Sequence, residues 1–157
     1  MEVDAIVNAA NEQLAPGGGV CGAIHRAAGP ELARACANLR PCPTGEARVT
    51  AGYQLLARFV IHAVGPVWHG GTHGEAALLA SAYRSALRMA ASKTLRSVAF
   101  PAISTGIYGY PLQPATDIAV ATVREVLDQG SSVDRVIFVC FSPDVLEAYR
   151  AAGVPTS

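Results

Sequence analysis

Two asparagines and a run of glycines near the start of the chain are the residues best suited to bind or transform a ligand. Residues 5–29 read AIVNAANEQLAPGGGVCGAIHRAAG, with Asn8 and Asn11 ahead of glycines 17–19. Glycine lets backbone N–H groups approach a ligand without a Cβ atom in the way, and a helix beginning at the last glycine or at Val20 offers unpaired N–H donors. The pattern predicts an anion site, beside which the asparagine carboxamides can bind sugar hydroxyls.

A second stretch combines small hydroxyl side chains with glycines. Residues 101–111 read PAISTGIYGYP, in which Ser104 and Thr105 offer hydroxyl and backbone N–H groups. Gly106 permits the positive φ that anion-binding nests use. The alternative is an ordinary connection between a strand and a helix. Two such loops in one chain favour a ligand that carries a diphosphate.

The cysteines and histidines are weaker candidates. Cys21 is a conceivable nucleophile, but such a thiol needs a nearby base, and a small side chain that fills space beside the ligand is the favoured interpretation. His62 is expected in the core, and His25 is expected to be packed or exposed without a catalytic role. His69 and His73 share one loop, but no third ligand stands at metal-site spacing, so no metal is expected.

Length and composition indicate one globular domain over residues 1–157. Hydrophobic residues make up 51% of the chain and charged residues 15%, and the formal net charge is zero. No basic patch for nucleic acid or for a membrane surface is therefore expected. The four cysteines lack the spacing of a disulfide framework, and no leader or membrane span is recognisable, which favours reduced thiols in the cytoplasm.

Strands and helices are predicted to alternate along the chain. Apolar, β-branched runs predict strands at residues 4–9, 47–52, 58–64, 97–101 and 135–141. Helical periodicity and end signals predict helices at residues 19–29, 30–39, 75–92, 113–129 and 143–152. This alternation predicts a three-layer α/β/α sandwich around a mostly parallel sheet of about five strands. Ligands of such sheets bind beyond the carboxyl ends of the strands, where both glycine-rich loops and Phe141 are expected.

Two other nucleotide-binding motifs do not fit. Residues 17–22 match the dinucleotide fingerprint G-x-G-x-x-G, but seven residues, 10–16, separate them from the strand, and no second strand ends in an acidic residue at the required distance. This spacing excludes a nicotinamide-dependent dehydrogenase. No Gly-Lys-Ser/Thr sequence is present, so a P-loop is excluded too.

The motifs together resemble the macrodomain family. VNAAN, GGGV, FVIHAVGP, VAFPA and PAISTGIYGYP occur in the family's order over nearly the whole chain. GAIHRAAGPEL and STGIYGYP are most similar to its MacroD-type branch. The resemblance implies binding of ADP-ribose or O-acetyl-ADP-ribose, with mono-ADP-ribosylated proteins as partners and no cofactor. Some members hydrolyse ADP-ribosyl esters or deacetylate O-acetyl-ADP-ribose.

The resemblance also assigns site residues. Those expected to bind ADP-ribose are Asn11, Gly17, Gly18, Gly19, Val20, Ser104, Thr105, Gly106, Ile107, Tyr108 and Phe141. Asn11 matches the asparagine that binds the distal ribose, Tyr110 matches a tyrosine near that ribose, and Phe141 matches an aromatic residue against adenine. Asn11, Cys21 and Tyr110 are the catalytic candidates. The alternatives are that Asn8 and Asn11 stabilise a turn, with Asn8 favoured for that role, and that Phe141 is a core residue.

The sequence departs from the family in two places. Cys21 stands where MacroD-type hydrolases have an aspartate, and Pro16 stands where other active members have a histidine. The family's usual N-terminal strands, which end in a Gly-Asp-Ile segment that anchors adenine, are not found, and Asp4 is not assigned that role. The sequence therefore leaves two functions open: an ADP-ribosyl-ester hydrolase or O-acetyl-ADP-ribose deacetylase with weakened catalysis, and a non-catalytic ADP-ribose reader.

Overall fold

Strands and helices alternate along the chain, as the hydrophobic periodicity predicts. A computed structural model describes residues 2–156. The strands are β1 (Ala5–Ala9), β2 (Ala47–Ala51), β3 (Phe59–Ala63), β4 (Ser97–Phe100) and β5 (Arg135–Phe138). The helices are α1 (Gly19–Ala28), α2 (Pro30–Ala37), α3 (Glu75–Ser92), α4 (Leu112–Asp128) and α5 (Pro143–Ala151). None of these helices combines the length and hydropathy needed to cross a membrane.

The strands form one mixed sheet with β1 at its centre. The strand order is β2-β3-β1-β4-β5, and only β2 runs antiparallel to its neighbour. The register aligns Ala9 of β1 with Ala63 of β3, so the loops that follow these strands begin at the same edge. The chain also leaves β4 and β5 at this edge, because these strands are parallel to β1.

Helices cover both faces of the sheet, which confirms the predicted α/β/α sandwich. The larger core lies between the sheet and helices α3 and α4, with Tyr83, Leu87 and Phe100 among its buried side chains. A smaller core lies under α1 and α2 and includes Leu32 and Val60. The sheet is thereby held between two apolar layers, and its carboxyl edge is free to carry loops.

The last strand is shorter than the predicted residues 135–141. β5 ends at Phe138, although the Val139 N–H still donates to the Phe100 carbonyl at 2.8 Å. The chain then turns into α5, where the Ser142 hydroxyl accepts the Val145 N–H at 3.3 Å. This N-cap stops the strand early, because a capping residue has to leave the ladder in order to start a helix. Phe141 consequently lies beyond the sheet.

One buried tyrosine fixes the start of the second glycine-rich loop. The Tyr83 side chain of α3 is 1% exposed. Its hydroxyl accepts the Ile103 N–H at 3.2 Å and donates to the Pro101 carbonyl at 3.4 Å. Burial raises the Tyr83 pKa to about 12, while the Ile103 N–H acts in the opposite direction. The hydroxyl is therefore a neutral link between α3 and the loop.

Tyr83→Phe should reduce the free energy of unfolding by about 1–3 kcal/mol, because the buried Ile103 N–H would lose its acceptor. Tyr53→Phe is the control, since Tyr53 is 41% exposed, and it should change stability by less than about 0.5 kcal/mol. Urea unfolding followed by circular dichroism measures both. Equal stabilities of the two variants would show that the Tyr83 hydroxyl does not hold the loop.

Candidate functional site: a cavity between two glycine-rich loops

A cavity of about 400 Å³ opens at the carboxyl edge of the sheet. Its wall includes every residue predicted to bind the ligand, together with Cys21. Sequence reasoning missed the other residues of the wall, which are Ala9, Ala10, Gly65, Pro101, Ala102, Ile103, Val139 and Val145. Most of these lie at or just after a strand end, so the strand order, once known, would have identified them.

The first loop delivers the N-terminus of α1 to the cavity. The helix begins at Gly19, whose φ of 56° lies in the left-handed region that favours glycine. No side chain of the described residues caps this helix end. The N–H groups of Gly19, Val20 and Cys21 precede the first intrahelical bond, in which Gly22 N–H donates to the Gly18 carbonyl at 3.2 Å. The cavity wall thus contains unpaired donors at the positive end of a helix dipole.

A close backbone contact holds this loop against its own helix. A Cβ atom added to Gly22 would lie 2.3 Å from the Gly17 carbonyl oxygen. A glycine is therefore required at position 22 if Gly17 is to keep its place in the cavity wall. By contrast, a Cβ added to Gly18 would meet nothing within 4 Å.

The second loop uses some of its N–H groups to close its own turns and leaves others without a partner. Tyr110 N–H donates to the Ser104 carbonyl at 2.9 Å and Gly109 N–H donates to the Gly106 carbonyl at 3.0 Å. Within residues 2–156, the N–H groups of Gly106, Ile107 and Tyr108 have no acceptor. The Ser104 hydroxyl is also buried without a partner among the described residues, although it belongs to the cavity wall. Its unmet hydrogen-bonding capacity points to a ligand or water at this place.

The loop has positive φ at two residues other than Gly106. Ser104 has a φ of 69° and Gly109 a φ of 74°. The turn closed by the Tyr110 N–H bond to Ser104 bends the chain at these two residues, so the loop does not use the positive φ that Gly106 permits. The N–H groups of residues 106–108 are nevertheless free donors within the described residues.

No ionisable aspartate, glutamate, lysine, arginine or histidine lines the cavity in the described part of the chain. A negatively charged ligand would therefore be held by backbone dipoles and hydroxyl groups, in an apolar setting where such dipoles act strongly. The two sets of free N–H groups are the features that suit this role.

Asn11 lies in the cavity wall and also closes its own loop. Its Oδ1 accepts the Ala15 N–H at 3.1 Å and its Nδ2 donates to the Ala15 carbonyl at 3.0 Å. The turn that the sequence offered as an alternative is thus present. One further N–H of the carboxamide and a lone pair on Oδ1 remain for a ligand.

Tyr110 does not line the cavity. Its side chain is 4% exposed, and its ring packs on Trp68 with centroids 4.6 Å apart. Two consecutive residues of the loop differ in exposure: Ile107 is 90% exposed, whereas Tyr108 is half-buried in the cavity wall. Gly109, with its positive φ, turns the chain between the two tyrosines, so Tyr108 lies in the cavity wall and Tyr110 in the core. The role of Tyr110 near the ribose stays a prediction.

Phe141 stands at the opposite rim of the cavity. Its side chain is 68% exposed, which excludes the alternative of a core residue. Val139 and Val145 lie with it in the wall. This end of the cavity is apolar and suits the face of an aromatic base.

A buried carboxylate fixes the loop that carries Trp68. Glu75 is 1% exposed and accepts backbone N–H groups of His69, Gly71 and His73 at 2.6–2.9 Å. Burial raises its pKa, but these hydrogen bonds lower it more, to about 2. The loop is joined to the cavity loop through the Trp68 N–H, which donates to the Tyr108 carbonyl at 2.8 Å.

The comparisons with known proteins agree with this geometry. The Macro domain family model matches residues 7–119, and the chain belongs to the macrodomain family. A protein of Klebsiella pneumoniae named O-acetyl-ADP-ribose deacetylase is 53% identical over 154 residues, which cover 96% of this chain and 88% of that protein.

Two solved structures are also similar. The Oceanobacillus iheyensis macrodomain with ADP has a TM-score of 0.90 and 44% identity, over 96% of this chain and 82% of its own. The Trypanosoma brucei macrodomain in complex with ADP-ribose has a TM-score of 0.89 and 49% identity, over 95% of this chain and 62% of its own.

Glu75→Gln should flatten the acid dependence of stability. The Glu75 pKa is about 2 in the folded protein and has an ordinary value of 4.5, so its contribution is complete above pH 4.5 and is lost as the pH falls towards 2. The variant should be less stable at pH 7 and should lose less stability over this acid range. Urea unfolding from pH 2.5 to 7 measures the difference, with the exposed Glu31→Gln as control. Parallel pH curves of wild type and Glu75→Gln would contradict the assignment.

Proposed function

We propose that the cavity binds ADP-ribose and that the protein is a weak ADP-ribosyl-ester hydrolase of the MacroD type, acting on O-acetyl-ADP-ribose or on mono-ADP-ribosylated acidic side chains. The observation that carries this proposal is the convergence of two sets of free backbone N–H groups on one uncharged cavity of about 400 Å³. That volume lies within the range of small-molecule sites, about 300–1,000 Å³. The similarity to the macrodomain structures with ADP and ADP-ribose supports the same ligand.

The cavity wall suggests how the ligand lies. The diphosphate would accept the free N–H groups of residues 106–108 and of the α1 N-terminus. Adenine would lie against Phe141 at the apolar rim, and the distal ribose would lie near Asn11 and Cys21. This placement matches each part of the ligand to groups present in the wall: adenine to apolar side chains, the diphosphate to N–H donors and the ribose to a polar side chain.

Ester hydrolysis in this site would depend on positioning. Water attacks the ester carbonyl carbon, a proton passes to a phosphate oxygen of the ligand, and the bond from that carbon to the ribose oxygen breaks. The ribose oxygen takes up the proton, which leaves acetate and ADP-ribose. A protein base is typically worth about 10²–10⁴-fold in rate, and Cys21 supplies no carboxylate, so slow turnover is expected. The Klebsiella pneumoniae relative named as a deacetylase favours this activity.

A non-catalytic reader of ADP-ribose is the second candidate. It is favoured by one specific observation, namely that neither a carboxylate nor an imidazole lines the cavity among the described residues. The two candidates share the binding site and differ only in turnover.

Calorimetric titration tests the shared part of the proposal. ADP-ribose should bind at least about tenfold more tightly than NAD, a difference of about 1.4 kcal/mol, because the nicotinamide would crowd the end of the cavity near Cys21. A deacylation assay with O-acetyl-ADP-ribose on the same sample separates hydrolase from reader. Failure to bind ADP-ribose would overturn both candidates.

Gly22→Ala should weaken ADP-ribose binding while it leaves the helix intact. Alanine favours α1 by about 1 kcal/mol over glycine, but its Cβ would push away the Gly17 carbonyl. Relieving such a contact costs about 1–3 kcal/mol, so affinity should fall by about tenfold or more. Ala23→Ser, on the exposed side of the same helix, is the control. Unchanged affinity of Gly22→Ala would show that the glycine segment does not hold the ligand.

Cys21→Asp should raise the deacylation rate by at least about tenfold, because it supplies the carboxylate that general-base catalysis uses. Cys21→Asn is the matched control, since it has the same shape without the charge. Single-turnover assays at saturating enzyme compare the variants. Equal rates of Cys21→Asp and Cys21→Asn, with both proteins folded, would contradict the proposed mechanism.

A further inference from the structure

A chain of buried polar side chains runs beneath the cavity, on the side of the sheet that α1 and α2 cover. It begins at Cys21 in the wall and continues through Asn8 of β1 and His62 of β3 to Thr50 of β2. Asn8 and His62 are direct partners in the parallel register, so their side chains lie side by side. Asn8 is 1% exposed and His62 is 0% exposed. The proposed reaction needs none of the last three residues to touch the ligand.

The Asn8 carboxamide uses both of its N–H groups. Its Nδ2 lies 3.2 Å from His62 Nδ1 and donates to Cys21 Sγ at 3.6 Å. The Asn8 Oδ1 has no partner among the described residues. The orientation of this amide is thus set by its two N–H bonds, and an acceptor on His62 is required for one of them.

His62 is suited to be that acceptor. Burial, followed by the neighbouring His25, lowers the His62 pKa to about 4, so the ring is neutral at neutral pH. Its Nε2 lies 3.0 Å from Thr50 Oγ1 and 3.7 Å from Cys36 Sγ. With Nδ1 accepting from Asn8, Nε2 carries the proton and donates to Thr50. The Asn8 N–H therefore selects the tautomer, and the Thr50 hydroxyl accepts the remaining ring N–H and holds the ring in its orientation.

We propose that His62, oriented by Thr50, is a positioning residue that aims the Asn8 N–H at the side chain in position 21. The proposal rests on the ester hydrolysis proposed above. A carboxylate placed at position 21 would accept the same N–H and be held towards the cavity. The benefit of such a carboxylate therefore depends on a histidine that lies in the core and does not line the cavity.

A cycle of substitutions tests this dependence. The rate gain from Cys21→Asp is measured in the wild-type background and in the His62→Leu, His62→Gln, Thr50→Val and Cys36→Ala backgrounds. His62→Leu removes the acceptor, whereas His62→Gln can restore it through its side-chain oxygen. Cys36→Ala is the matched control. It removes a contact to His62 Nε2, the nitrogen that Thr50 also contacts, and it leaves the contacts from His62 Nδ1 through Asn8 to position 21 in place.

The proposal expects the gain to fall by about tenfold in His62→Leu, as coupled neighbours do, and to return in His62→Gln. Thr50→Val should lose part of the gain and Cys36→Ala should keep it. ADP-ribose affinity, measured on each protein, should change by less than about threefold, since these residues do not line the cavity. An equal gain in His62→Leu and wild type would overturn the proposal.

A second measurement tests the proposal if His62→Leu does not fold or if Cys21→Asp brings no gain. The absence of a gain would count against the proposed mechanism of hydrolysis. Long-range ¹H–¹⁵N spectra of the wild-type protein report which ring nitrogen carries the proton. The proposal expects His62 protonated on Nε2, and expects Thr50→Val but not Cys36→Ala to shift the Asn8 side-chain amide signals. A proton on Nδ1 would turn the Asn8 oxygen towards the ring and would overturn the proposal.

Discussion

The structure depends on one constraint: because no charged side chain among residues 2–156 lines the cavity, an anionic ligand must be held mainly by backbone N–H groups. Backbone N–H groups point into a cavity only where a helix begins or where a loop is held in an unusual curve. The parallel strands β1 and β4 bring one of each to the same edge. The contacts around the cavity hold these two segments in fixed positions. Donors that had to reorganise when the ligand binds would contribute less to its affinity.

The support for the two loops is polar and buried, and it comes from elements far apart in the sequence. Tyr83 of α3 ties the second loop to the larger core, and Glu75 holds the neighbouring loop whose Trp68 packs on Tyr110. The first loop is held by the close contact of Gly22 with Gly17. The hydrogen bonds of Tyr83 and Glu75 specify one arrangement, because breaking them leaves buried groups unpaired.

Sequence reasoning predicted the fold and most of the cavity wall. Alternating strands and helices determine the order of the layers, and the loops that follow parallel strands lie at the same edge of the sheet. It extended the last strand to Phe141, which was wrong, and it did not foresee that the Tyr110 ring packs against Trp68. The first depends on the Ser142 cap, and the second on which side of a loop faces the sheet. Neither feature is encoded in local periodicity. The role of Glu75 could not be predicted for a similar reason, because its partners are backbone N–H groups that only the folded loop brings together.

A ¹H–¹⁵N titration of the protein with ADP-ribose, with every backbone amide assigned, tests most directly whether backbone donors hold the ligand. The largest shifts should fall on the amides of residues 19–21 and 106–108, the free donors of the two loops. The amides of β2, the edge strand two positions from β1, should hardly move. Saturable shifts concentrated elsewhere, with the two loops unaffected, would contradict the claim that backbone donors hold the ligand.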